Sequence, residues 1–203
     1  MDTAVSLVQA YLRINGYFTV TEYPVIASGR RHEYRAATDL DVLALRFSGA
    51  GRVVPGRRPG LDEDHTVVDE ALRAPEGHAD MLIGEVKEGR ATLNAAASDP
   101  GVLRAVIAGF GCCPRAEAPR IVEVLLRDGH VALPNGHHVR TAIFASSVEG
   151  ADTSRHLVVP LGHVVAFLRR YVDEHWDILR HSESKDPAFR FLMTIAKAER
   201  AGR

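Results

Sequence analysis

Two short runs of this sequence, TDLDVLAL and MLIGEVKEG, each set a pair of charged residues at one end of an otherwise apolar alternation. Side chains alternate along a strand, so Asp39, Asp41, Leu43 and Leu45 are expected on one face of the first run, and Met81, Ile83, Glu85 and Lys87 on one face of the second. The charges open the first run and close the second. If the two strands are antiparallel neighbours, Asp41, Glu85 and Lys87 converge at one rim of a sheet. Ionised groups on a core-facing row are costly unless paired or bound to a metal. Two carboxylates with a main-chain carbonyl and waters suit Mg²⁺, a hard cation that prefers oxygen and keeps part of its water shell. The lysine balances charge that the carboxylates leave uncompensated. The same three residues could instead form a cross-strand salt bridge on a solvated face, worth under about 1 kcal/mol. On pattern alone the two readings weigh evenly.

The elements that must position these residues are legible from periodicity and punctuation. Asp2 caps a first helix with apolar residues at Val5, Val8 and Leu12, and Asn15-Gly16 stops it. YFTVTEYPVIA reads as a strand ending near Pro24, and SGRRHEYRAAT as a polar, basic loop or hairpin tip. The Asp41 strand spans about Leu40 to Phe47. Residues 48–78 form a long segment rich in Gly, Pro and Arg, then acidic, with a short helix at TVVDEALRA. Such a length between paired strands reads as an insertion, expected to be a mobile excursion beside the Asp41–Glu85 site. After the Glu85 strand come helices at GVLRAVIAGFG and APRIVEVLLRDG, the latter supported by Pro119 in the first turn and Asp128-Gly129 at the C-cap. HHVRTAIFASS reads as a strand. From Leu161 onward the chain turns helical, with Val164, Phe167, Leu168, Tyr171, Val172 and Ile178 on one broad face.

The 203 residues allow one sizeable domain with a helical appendage. A hydrophobic fraction of 46% and a charged fraction of 25% are those of a chain that packs a core. Twenty-five basic against 26 acidic side chains exclude a generally basic nucleic-acid coat but allow a local basic groove. No basic-then-apolar leader opens the sequence and no run is long and apolar enough to span a bilayer, so a cytoplasmic address is expected. The only cysteines, Cys112 and Cys113, are adjacent, which suits neither a disulfide nor a zinc site.

The runs TDLDVLAL and DMLIGEVKEG, in this order of elements, resemble the PD-(D/E)XK nuclease superfamily. That resemblance implies an α/β fold: a restriction-endonuclease-like core with a mixed sheet flanked by helices. The core would span 1–150 with 48–78 inserted, and a C-terminal helical extension over 160–203 lies outside the resemblance. It further implies that Asp41 and Glu85 hold Mg²⁺, for which Mn²⁺ substitutes, and that Lys87 is the catalytic lysine. Asp39 falls two residues before the aspartate, where many members carry an acid. Many members also carry an acid on the first helix, where this chain offers Gln9. The activity implied is hydrolysis of phosphodiester bonds in nucleic acid, with DNA the expected polymer. The alternative is a catalytically silent module of the same fold that binds nucleic acid or a protein partner. A homodimer through the C-terminal helices is a further expectation.

Around this constellation, Arg30, Arg31, His32 and Arg35 feed the Asp41 strand, and Arg52, Arg57 and Arg58 follow it. Both sets could flank a phosphate backbone or be ordinary solvated surface. Glu22 could reach the site from the first strand, although an exposed, alternating position is favoured. His130, His137 and His138 lack a partner of zinc-site type. Phe167, Tyr171 and Trp176 sit at helical spacing and read as packing residues. Because Asp41 and Glu85 repel when both are ionised, loss of one is expected to cost little stability, and loss of Lys87 more.

Overall fold

The computed structural model describes residues 2–28, 33–58 and 60–202. Arg30, Arg31 and His32 lie outside them. Helix α1 (Thr3–Ile14) starts where the Asp2 carboxylate accepts the Ala4 N–H, and it stops where the Asn15 amide bonds back to the Tyr11 carbonyl. Two long strands follow, β1 (Phe18–Ser28) and β2 (Tyr34–Arg46). Strand β1 does not end near Pro24; it continues to Ser28. It is the edge of the sheet, where proline's missing N–H leaves no ladder position empty.

The next residues carry a small hairpin, β3 (Val53–Val54) with β4 (Glu63–Asp64), and a 3₁₀ turn over Glu70–Leu72. Then come β5 (Asp80–Arg90), α2 (Pro100–Phe110), α3 (Ala118–Asp128), β6 (His130–Ala132), β7 (His138–Ser147) and β8 (Leu157–Pro160). The chain finishes with α4 (Leu161–Glu174), α5 (Trp176–Leu179) and α6 (Pro187–Ala201). The turn from α3 to β6 depends on Gly129. Its φ is +71°, and a Cβ there would lie 2.0 Å from the Arg155 carbonyl oxygen.

The fold is α/β, with a mixed sheet flanked by helices. Strand order is β1-β2-β5-β7-β6, and β8 also pairs with β7. Strands β1, β2 and β5 form an antiparallel meander, while β7 lies parallel to β5 after the crossover through α2 and α3. Helices α1, α4 and α6 cover one face, burying Val8, Leu12, Val42, Phe144, Leu168 and Phe189 among others. Helices α2 and α3 cover the other, over Leu43, Met81, Ile83, Val106 and Ile121.

Two expectations are revised by this packing. The residues from Leu161 onward are not an appendage: Leu161, Val164, Phe167 and Leu168 sit in the same core as α1 and the sheet. The segment 48–78 joins the Arg46 and Asp80 ends of β2 and β5, which is the end of the ladder opposite Asp41 and Glu85. It is also anchored. Leu72 is fully buried, and Asp69 accepts bonds from the Tyr11 hydroxyl and the Ala71 N–H while pairing with His163. Arg52, one of the arginines that could have flanked a phosphate backbone, bonds the Tyr171 hydroxyl on that far side.

Candidate functional site

The ladder between β2 and β5 runs from Arg46↔Asp80 to Val42↔Gly84 and stops there. Gly84 makes this last rung possible: a Cβ on it would meet the Val42 side chain at 2.4 Å. One residue further, Asp41 and Glu85 stand opposite each other. Where the next backbone bond would form, the Val86 N–H donates instead to Asp41 Oδ2 at 2.8 Å. The aspartate thus bridges the two strands at the point where they part.

Strand geometry is irregular at the same point. Strict alternation would send Leu40 and Leu43 to opposite faces, yet both pack in the core under α2 and α3. In β1, pairing passes from Thr21↔Val42 to Tyr23↔Leu40, which leaves Glu22 opposite Asp41 with φ at +52°. A non-glycine residue in the left-handed region is strained, and such strain gathers where a site over-determines the backbone. Face alternation therefore does not carry Asp39 along with Asp41. Asp39 is exposed, opposite Pro24. Glu22 is exposed as well, and Gln9 is buried within α1.

Glu85 is 4% exposed, beside Ile143 on β7. Its Oε1 accepts from Lys87 Nζ at 2.5 Å. Burial pushes the Glu85 carboxyl above its ordinary value; the Lys87 hydrogen bond opposes this, and the Asp41 charge adds to it. The lysine reaches this contact from a partly open position, its side chain 31% exposed. Asp41, Glu85 and Lys87 are thus brought together, as the antiparallel arrangement required.

Each carboxylate commits one oxygen, Asp41 Oδ2 to Val86 and Glu85 Oε1 to Lys87, and each keeps a second. A buried carboxylate, Glu85, and a half-buried one, Asp41, repelling each other and with spare oxygens, form a donor set that a hard divalent cation would relieve. Among the described residues no group of three or more His, Cys, Asp or Glu could hold a metal ion. A cage built wholly from side chains is therefore not the arrangement here. A pair of carboxylates fits Mg²⁺, which takes one or two of them and fills its shell with waters and substrate phosphate oxygens.

The other ionisable clusters are scaffolding that sequence reading missed. Asp80, fully buried, takes a two-pronged bond from Arg140 and the Tyr17 hydroxyl at 2.6 Å, at the opposite end of β5 from Lys87. Burial, with the Asp80 charge adding to it, pushes the Tyr17 phenol far up, so it stays a hydrogen-bond donor. The only trace of this cluster in the sequence is an aspartate opening an apolar run. Cys112 and Cys113 are free and half-buried against the α2–α3 core, and burial pushes the Cys112 thiol up to about 11, away from nucleophilic chemistry at neutral pH. Trp176 lies under the Arg200 guanidinium, 4.2 Å from its carbon, and is used within the fold.

No family model matches the chain, and neither a curated protein nor a solved structure does. Among the described residues no helix is long and apolar enough to cross a membrane.

Proposed function

We propose that this chain is a Mg²⁺-dependent phosphodiester hydrolase with a restriction-endonuclease-like core, a nuclease whose expected substrate is DNA. The observation that carries the reading is the meeting of Asp41, Glu85 and Lys87 at the point where β2 and β5 separate. A salt bridge on a solvated face would not bury Glu85 to 4% exposure beside a second carboxylate.

Asp41 and Glu85 would hold the ion, Mg²⁺ or Mn²⁺ in its place. When bound, it supplies charge stabilisation at the scissile phosphate and lowers the pKa of an attached water. The chain's own contribution is to fix the geometry. The Val86 N–H holds the Asp41 carboxylate in place, and β5 delivers Glu85 and Lys87 from one face, two residues apart. Lys87 lies beside the carboxylates and reaches solvent, so it can orient a water or neutralise phosphate oxygen charge.

A direct assay offers labelled single- and double-stranded DNA and RNA to the protein in Mg²⁺ and in a chelator. The reading expects metal-dependent cleavage, with Lys87→Ala lower by about 10²–10³-fold, the scale for removing one preorganised charge-stabilising group. Cleavage that persists in chelator, or is indifferent to Lys87, would reject it.

A second reading, docking to a partner or to another copy, has one observation in its favour. An apolar groove of about 640 Å³ lies between α1, α4 and α6, with Phe191 65% exposed on its wall. If two copies meet there, Phe191→Asp converts a dimer to a monomer in sedimentation. A wild-type monomer at all concentrations removes the homodimer.

A further inference from the structure

We infer that a second cleft beside the site holds the sugar–phosphate backbone of the nucleic-acid strand, with Arg35 and Arg104 as its phosphate contacts; this rests on the nuclease reading above. The cleft, about 640 Å³, opens between the outer half of the β1–β2 hairpin and the first turn of α2. Val25 and Val102 form an apolar floor continuous with the core under α2 and α3. Met81 and Ile83, which share the face of Glu85 on β5, belong to that same core.

Arg35 enters the cleft from β2 and Arg104 from α2. Both side chains are exposed, and among the described residues neither guanidinium has an ion-pair or hydrogen-bond partner. The one carboxylate on the wall, Asp99, is already engaged: its Oδ1 accepts the Gly101 and Val102 N–H groups at 2.7 and 2.9 Å. The cleft therefore offers two uncommitted cations and one carboxylate tied to a helix start, a balance that suits an anionic chain. Planar guanidinium groups match phosphate oxygens in pairs.

Position makes this cleft a holder of backbone and not the cutting site. From Ala37, the last β2 residue lining it, to Asp41 is four residues of extended strand, about 13 Å at ~3.3 Å per residue. A strand gripped here would lead its neighbouring phosphates towards Asp41 and Glu85. Arg104 carried no signal in the sequence, because a lone arginine on an amphipathic helix reads as surface.

Fluorescence anisotropy with a labelled oligodeoxythymidylate, in chelator so that no cleavage interferes, tests the cleft apart from the chemistry. Arg35→Ala and Arg104→Ala are each expected to bind about tenfold more weakly, and each to reduce the slope of log affinity against log salt by about 0.7. Arg190→Ala, which removes an exposed arginine from α6, should bind like wild type, and all three should melt like wild type. The inference is overturned if wild type does not bind the probe, if both cleft variants keep its affinity, or if Arg190→Ala loses as much. A protein that cleaves while both cleft variants bind normally refutes the cleft alone. One that binds through these arginines and never cleaves refutes the nuclease reading alone.

Discussion

Asp41 serves the backbone through one oxygen and, in the function proposed above, a cation through the other. Its Oδ2 takes the Val86 N–H where no backbone acceptor remains. Removing it leaves that donor unpaired, so Asp41→Ala should cost about 1–3 kcal/mol in denaturant melts. This replaces the near-neutral effect expected from carboxylate repulsion alone. Asp41→Asn keeps an acceptor and should recover most of that stability while still failing to cleave. Equal stability of the alanine and asparagine variants would show that the Val86 bond contributes nothing. For Glu85 the sign runs the other way, because its carboxyl is raised by burial, with Lys87 opposing and Asp41 adding. A raised acid stabilises the fold fully below its unfolded value, and that contribution is lost as pH rises through the folded value. Metal-free Glu85→Gln should therefore melt above wild type at neutral pH, with the difference vanishing in acid below the ordinary glutamate range. A wild type that melts higher than Glu85→Gln at neutral pH without metal would contradict the assignment. The identities of these residues were legible in the sequence from charged pairs at one end of apolar alternations, opening the first and closing the second. The Val86 bond was not, since a backbone donor leaves no mark on residue type.

At the scale of elements, the site exists because β2 and β5 are tightly joined up to one rung and free after it. Gly84 sets that rung. Alanine there would press its Cβ on Val42, a β-branched side chain with little rotamer freedom. Gly84→Ala is expected to cost about 1–3 kcal/mol through overpacking, and to weaken the response of the melting temperature to Mg²⁺ by spreading Asp41 from Glu85. Unchanged stability and metal response would mean the close approach is not what sets the site. The order of helices and strands followed from apolar spacing, Asp caps and Pro-Gly punctuation, and the adjacency of β2 and β5 from their complementary charged ends. What failed was strict alternation: the positive φ at Glu22 and the shared core of Leu40 and Leu43 mark a local twist that a two-residue period cannot encode. Strand β8, only four residues long, was hidden because LVVP reads equally well as the approach to the helix that follows.

Across the whole molecule, the first and last helices share one core. Truncation at residue 150 would expose Val8, Leu12 and Phe144, each losing about 1.5–3 kcal/mol of burial, against a total stability of about 5–15 kcal/mol for a domain. The fragment 1–150 should therefore show no cooperative melt, whereas a separable extension would leave one. A division at 150–160 looked natural in the sequence because strands give way to helices there, and composition does not reveal which face a helix packs against. The two ends of the sheet also divide their work. The Asp80–Arg140–Tyr17 cluster and the anchored 48–78 segment close one end, and at the other Asp41 and Glu85 each commit only one oxygen, to Val86 and to Lys87. Whether the Asp41–Glu85 end takes a metal is read from Mn²⁺ titration followed by its paramagnetic resonance signal. Saturable binding is expected, strengthening as pH rises through the raised range of Glu85, competed away by Mg²⁺ and abolished by Glu85→Gln. Wild-type protein that leaves the free Mn²⁺ signal undiminished, or Glu85→Gln protein that binds as wild type does, would contradict it.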